Sequence, residues 1–100
     1  MMNQLSGFQW DKGNKAKCQK HGVSLETVEA IFVTGLIIFP DEGHSLNEKR
    51  YRAMGKDHDR RSVFVVFTIR GNEIRPISAR YMHQKEVASY EKDYPDFSNR

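Results

Sequence analysis

Cysteine is nearly missing from this sequence: Cys18 stands alone in 100 residues, which excludes an internal disulfide and a cysteine-built zinc site. A catalytic thiol needs a base beside it, and although His21 lies three residues on, Cys18 is read as a small, unreactive residue. No apolar run is long enough to span a membrane and no segment has the layout of a signal peptide, so a reducing cytosol is the expected location. The four histidines, His21, His44, His58 and His83, show no paired spacing such as i, i+4, and neither a metal nor a cofactor is expected. A glycine-rich phosphate loop and a GxSxG elbow are absent too, which leaves nucleotide hydrolysis and serine hydrolysis without support. Internal repeats, low-complexity stretches and linkers are also missing.

What the chain does have is a core and an excess of positive charge. Apolar residues make up 38%, enough for one core, and the expectation is a single domain over 1–100 with 95–100 as a loose tail. Sixteen Lys and Arg stand against thirteen Asp and Glu, a net charge of +3, which favours a polyanionic or acidic partner.

The pattern along the chain predicts the order β-α-α-β-β-β-β-α. Phe8-Gln9-Trp10 alternates as a brief strand, and Asp11 caps a helix from Lys12 to about Lys20 that ends on Lys20, His21 and Gly22. With only Ala16 and Cys18 as apolar anchors, this helix must lie on the surface. Ser24 caps a second helix whose stripe is Leu25, Val28, Ile31 and Phe32, and Gly35 ends it. A short strand from Leu36 to Phe39 stops at Pro40, and a polar loop from Asp41 to Asn47 carries His44. From Glu48 to Met54 the chain alternates, with Glu48, Arg50 and Arg52 on one face and Lys49, Tyr51 and Ala53 on the other. Ser62 to Ile69 is the most apolar run and predicts a central strand covered on both faces.

Gly71-Asn72 offers a two-residue turn into a strand from Glu73 to Arg80. The turn would set Ile69 opposite Ile74, Phe67 opposite Pro76, Val66 opposite Ile77 and Val63 opposite Arg80. Pro76 cannot donate to a ladder, so this strand is at an edge or bulged there. Strict alternation puts Arg75 and Arg80 on opposite faces, and a bulge at Pro76 brings them together. A final helix from about His83 to Tyr94 turns Val87, Tyr90 and Tyr94 inward and ends at Pro95. The fold class is therefore α+β, an antiparallel meander with packed helices.

Cations at special places suit RNA chemistry. Cleavage without metal needs a group that takes the proton of the ribose 2′-OH, a donor for the leaving oxygen, and fixed cations around the phosphorane. Histidine suits the proton transfers, Lys and Arg the charge. Lys20 and His21 at a helix end, Arg50 and Arg52 on a strand face, Arg75 and Arg80 on the last strand, and Lys12, Lys15 and Lys17 on the first helix form that inventory. Each has a plainer explanation: dipole capping for His21, pairing with Glu48 for Arg50 and Arg52, a solvated helix surface for the lysines.

Taken in order, Phe8-Gln9-Trp10-Asp11, Lys20-His21-Gly22-Val23-Ser24, Glu48-Lys49-Arg50-Tyr51, Gly55, Val65-Val66-Phe67-Thr68 with Gly71, Ile74 to Arg80, Glu86 and Tyr90-Glu91 resemble the BrnT family of bacterial toxins. The resemblance implies a RelE-like fold and a ribonuclease toxin of a type II toxin-antitoxin system. It implies metal-independent cleavage that inhibits translation in the bacterial cytoplasm. A BrnA-like antitoxin is the implied partner, a ribbon-helix-helix protein whose complex with the toxin binds operator DNA, compatible with a dimer of heterodimers. The family's suspected catalytic positions fall on Lys20, His21, Arg50 and Arg80, with Arg75, Lys12, Lys17 and Arg52 as RNA contacts. Tyr81 stands where a second basic residue often follows the family's ISAR motif, and Lys17 or Cys18 lies where an asparagine often precedes KHG. Two other readings are a non-catalytic basic module that binds an antitoxin or RNA, and a DNA binder, for which no helix-turn-helix is seen.

Overall fold

The structure, a computed structural model, describes residues 6–41 and 48–95. The expected loop around His44, beyond Asp41, and the tail after Pro95 lie outside the described residues. The elements are β1 (Gly7–Phe8), α1 (Lys12–Gln19), α2 (Leu25–Thr34), β2 (Leu36–Pro40), β3 (Arg50–Lys56), β4 (Ser62–Arg70), β5 (Glu73–Tyr81) and α3 (Gln84–Asp93). Their order is the one the sequence predicts.

The caps act as read. Asp11 Oδ1 accepts from the Asn14 amide at 3.0 Å, and the Asn14 side chain accepts in return from the Asp11 amide at 2.7 Å. This reciprocal pair satisfies two of the amides that open α1. Ser24 Oγ accepts from the Thr27 amide at 3.1 Å at the start of α2. Gly22, at φ +90°, turns the chain between the two helices in a region that side chains with a Cβ avoid.

The five strands form one sheet in the order β1-β5-β4-β3-β2. Strands β2 to β5 are an antiparallel meander, but β1 adds parallel to β5, pairing Gly7 with Glu73 and Phe8 with Ile74. The sheet is therefore mixed, and two residues of β1 were too short a run for the sequence to show its direction. On one face, Val63, Val65 and Phe67 of β4 pack with Ala53, Ala79, Cys18 and Val23 beneath α2, whose Val28 and Ile31 are fully buried. Phe67 is wedged between Tyr51, stacked at 5.3 Å, and Phe32, edge-on at 5.1 Å. Gly55 lets α2 sit down on β3: a Cβ there would stand 2.8 Å from Ile31 Cβ. On the other face, Met54 and Phe64 pack with Ile37, Phe39, Met82, and Val87 and Tyr90 of α3. The central strand β4 is thus covered on both faces, as its composition predicts.

The register follows the turn only part of the way. Ile69 opposes Ile74 and Phe67 opposes Pro76 as expected, but Val66 then opposes Ser78, Phe64 opposes Arg80 and Val63 opposes Tyr81. Ile77 is the extra residue of a β-bulge. The expected Val66–Ile77 and Val63–Arg80 pairings are corrected by one residue, because the proline-interrupted ladder gives way there and Asn14 Nδ2 takes the Pro76 carbonyl at 2.8 Å.

Candidate functional site

The bulge decides where the cations point. Beyond it, Arg80 shares the α3-side face with Phe64, while Arg75, before it, shares that face with Thr68. Arg50 and Arg52 of β3 oppose Thr68 and Val66 on the same face. Four arginines from two strands therefore gather on one side of the sheet.

They form two groups. At one end, the row Arg50, Thr68, Arg75 lies beside Glu48, which Arg70 clasps with two bonds of 2.7 and 3.1 Å. The bonded Arg70 holds the Glu48 carboxyl below its usual range, and the charges of Arg50 and Arg75 add to the effect. Arg75 Nη2 also pairs with Asp11 Oδ2 at 2.8 Å and is only 18% exposed. That carboxylate is lowered as well, first by the Asn14 amide it accepts from and then by Arg75. Glu48, expected as a partner for Arg50 and Arg52, hydrogen-bonds Arg70 and also feels the charge of Arg50.

At the other end, Arg80 makes a fork-to-fork pair with Glu86, both bonds 2.7 Å, while its guanidinium lies 4.8 Å from the centre of the Phe64 ring. Glu86 in turn accepts from the amide of His83, the residue that opens α3. Arg80 holds the Glu86 carboxyl below its ordinary range, so it is ionised at neutral pH and a weak base; the same bonds push Arg80 upward. The Arg80 row passes through Phe64 to Met54, four residues along β3 from Arg50. That is about 13 Å at the rise of a strand, so Arg50 and Arg80 are not neighbours. Between the groups, Arg52 lies 4.5 Å from the Phe39 ring centre, and its buried Nε has no hydrogen-bond partner among the described residues.

Lys20 and His21 belong to the other layer, exposed at the turn between α1 and α2. They precede Ser24, which shares a cleft of about 420 Å³ with Lys56, Asp57, His58 and Arg60 of the β3–β4 turn. That turn flanks Ser62, whose carbonyl accepts from the Met82 amide just past Arg80. The pair and Arg80 thus share one end of the sheet but leave it on opposite sides. Lys17 and Arg75 are brought together, lining a small cleft with Asn14 and Ile77 at the outer side of β5. Lys12 is exposed at the start of α1.

Sequence reasoning passed over three participants. Glu86 matters through Arg80, and Asn14 through the bulge; the spacings Asp11-x-x-Asn14 and His83-x-x-Glu86 are capping signals that could have pointed to both. Arg61, whose guanidinium stands 3.5 Å over the Tyr81 ring, carries no local signal. Among the described residues no cluster of three His, Cys, Asp or Glu side chains is placed to hold a metal, and no helix is long and apolar enough to cross a membrane.

The family model described as ribonuclease toxin, BrnT, of type II toxin-antitoxin system matches residues 10–86. The chain belongs to the BrnT family. The match runs from Trp10 through Lys20 and His21 to Arg80 and Glu86, and so spans both layers of the site. The fold agrees. The crystal structure of the Brucella abortus ribonuclease toxin, BrnT, determined at 1.1 Å, superposes with a TM-score of 0.62 at 23% identity, covering 80% of this chain and all of that one. No curated protein sequence matches the chain. A BrnT-family chain is a ribonuclease toxin whose class works with a protein antitoxin and acts on RNA.

Proposed function

We propose that this chain is a metal-independent endoribonuclease that arrests translation in the bacterial cytoplasm and is neutralised by a BrnA-like ribbon-helix-helix antitoxin. The observation that carries this reading is the bulge at Ile77, which puts Arg75 and Arg80 on the face already occupied by Arg50 and Arg52. Four fixed guanidiniums on one face suit a chain of phosphates, and Arg fits phosphate oxygens two at a time.

RNA would run along this face and cross the outer side of β5, which has no strand partner beyond Ile74 among the described residues. Lys17 and Arg75 flank that crossing. On its far side stand Lys20 and His21. In this mechanism His21 exchanges protons with the 2′-oxygen and the leaving 5′-oxygen, while Lys20 and Arg80 stabilise the doubly charged phosphorane. Glu86 keeps the Arg80 fork in one orientation, so no reorganisation is needed as charge develops. Arg50, Arg52, Arg75 and the α1 lysines, Lys12 among them, hold the strand electrostatically.

RNA cleavage with a chelator present tests the reading. His21→Ala and Arg80→Ala should each slow cleavage about a hundredfold or more, with activity of the parent unchanged by the chelator. If both variants cut as fast as the parent, the site assignment fails. A second reading, a basic module that binds RNA or antitoxin without cutting, draws on the separation of His21 from Arg80 by the sheet and on the prior engagement of Arg75 and Arg80 with carboxylates. It expects growth unaffected by expression of the chain alone.

A further inference from the structure

A cleft of about 530 Å³ opens between the β3–β4 turn and α3, lined by residues to which the proposed mechanism gives no role. Its size suits one nucleotide-sized ligand. Lys56, Arg60 and Arg61 stand in its wall with Glu91, the Tyr81 hydroxyl donates to Asp57 with Asp59 close by, and Tyr81 and Met82 supply an aromatic and apolar floor and Gln84 a side-chain amide. This is the mixture a nucleotide needs: cations for a phosphate, a flat surface for a base, and an amide that both donates and accepts.

The flat surface is already assembled. The Arg61 guanidinium lies 3.5 Å over the Tyr81 ring, and Arg61 is exposed, so its outer plane is open to a further layer. Guanidinium planes and aromatic rings are the surfaces on which unpaired RNA bases stack. The turn that delivers Arg61 is held in one shape. Asp57 Oδ1 accepts from the amides of Asp59 and Arg61 at 2.9 and 2.8 Å, and Asp57 N donates to the Arg61 carbonyl at 3.0 Å. Arg60 adopts φ +64°, a left-handed backbone that is uncommon for a residue with a long side chain and that the surrounding bonds must maintain. Arg80, adjacent in sequence to Tyr81, points to the opposite face, so the cleft and the proposed phosphorane site share one end of β5.

We propose that this cleft is a subsite for one nucleotide of single-stranded RNA beside the scissile phosphate, with the base layered on Arg61 and Tyr81 and a flanking phosphate facing Arg60 and Lys56. The assignment rests on the ribonuclease reading and adds to it a requirement for an unpaired base at one position. The probe is a short 2′-O-methyl RNA, which lacks the attacking hydroxyl and is bound without being cut, together with the same oligonucleotide carrying one abasic residue walked along its length.

Arg61→Ala should bind the intact oligonucleotide about tenfold more weakly. Arg61→Lys keeps the charge without the plane and should recover only the salt-dependent part of that loss. In the parent, one abasic position should cost about the same tenfold, and in Arg61→Ala that position should cost little. With cleavable RNA, Arg61→Ala should raise KM and leave kcat near the parent value. Parent-like affinity in Arg61→Ala, or an abasic penalty equal in parent and variant, overturns the subsite. The two readings fail separately. A position-specific penalty lost in Arg61→Ala from a parent that cuts no RNA supports the subsite and sinks the ribonuclease assignment. Cleavage by the parent without any such penalty does the reverse.

Discussion

On the side of the sheet covered by α1 and α2, Val63, Val65 and Phe67 are at most 1% exposed and pack against Cys18, Val28 and Ile31, whereas on the other side the same strands alternate Met54 and Phe64 with Arg50, Arg52 and Arg80. The first side has two helices to exclude water and spends its side chains on packing. The second has one, α3, which covers Met54 and Phe64 and holds Arg80 through Glu86. Such a division lets residues of one side change with little effect on the work of the other, because each β4 position faces only one layer.

Exchanging one residue on each side tests this division most directly. Phe67→Ala should cost about 3–5 kcal/mol in urea denaturation, since it empties a site held by Tyr51 and Phe32. The folded fraction should still cleave RNA, in contrast to Arg80→Ala, which should stay folded and fail to cut. A Phe67→Ala protein that folds as stably as the parent would remove the distinction.

A smaller loss, about 1–3 kcal/mol, is expected for Gly55→Ala, which pushes a methyl into Ile31 on the packed side. Thermal melting measures it, and an unchanged melting temperature would mean that α2 can lift off β3 without cost.

The arginine side responds to acid. Glu86 has its carboxyl lowered in the folded protein by Arg80, so between that lowered value and the ordinary value of 4.5 the unfolded chain binds more protons than the folded one. Stability carried by the Arg80–Glu86 pair is therefore fully present above pH 4.5 and is lost as pH falls through the folded value. Denaturation midpoints from pH 6 to pH 3 should fall less steeply for Glu86→Gln than for the parent; parallel curves would show that the pair contributes nothing to folding. The smallest effect is on the packed side, where burial pushes the Cys18 thiol up to about 11. A thiol reagent at pH 8 should leave it unmodified in the native protein and react only after denaturation. Rapid labelling of the folded chain would mean that α1 opens.

Much of this arrangement was legible in the residues. Asp11, Ser24, Gly22 and Gly35 mark helix ends by local chemistry, and the Gly71-Asn72 turn sets the register as far as Phe67 and Pro76. The parallel addition of β1 was not legible, because its backbone joins a strand more than sixty residues away. Nor was the bond of Glu48 to Arg70, which reaches it from the neighbouring strand β4. Arg61 over Tyr81 joins a turn to the end of β5, and no short-range pattern encodes that meeting.

The sequence by itself determined the kinds of residue available, their order in the eight elements and the family to which the chain belongs, since caps, periodicity and the ordered motifs are properties of neighbours along the chain. Which arginines act together was decided only in three dimensions. Pro76 removes an amide from the β5 ladder, Asn14 takes its carbonyl, and the one-residue bulge at Ile77 turns Arg80 toward Glu86 and onto the face of Arg50, Arg52 and Arg75. A single extra residue in a strand reverses every side chain after it, and whether it is accommodated depends on the helix packed alongside.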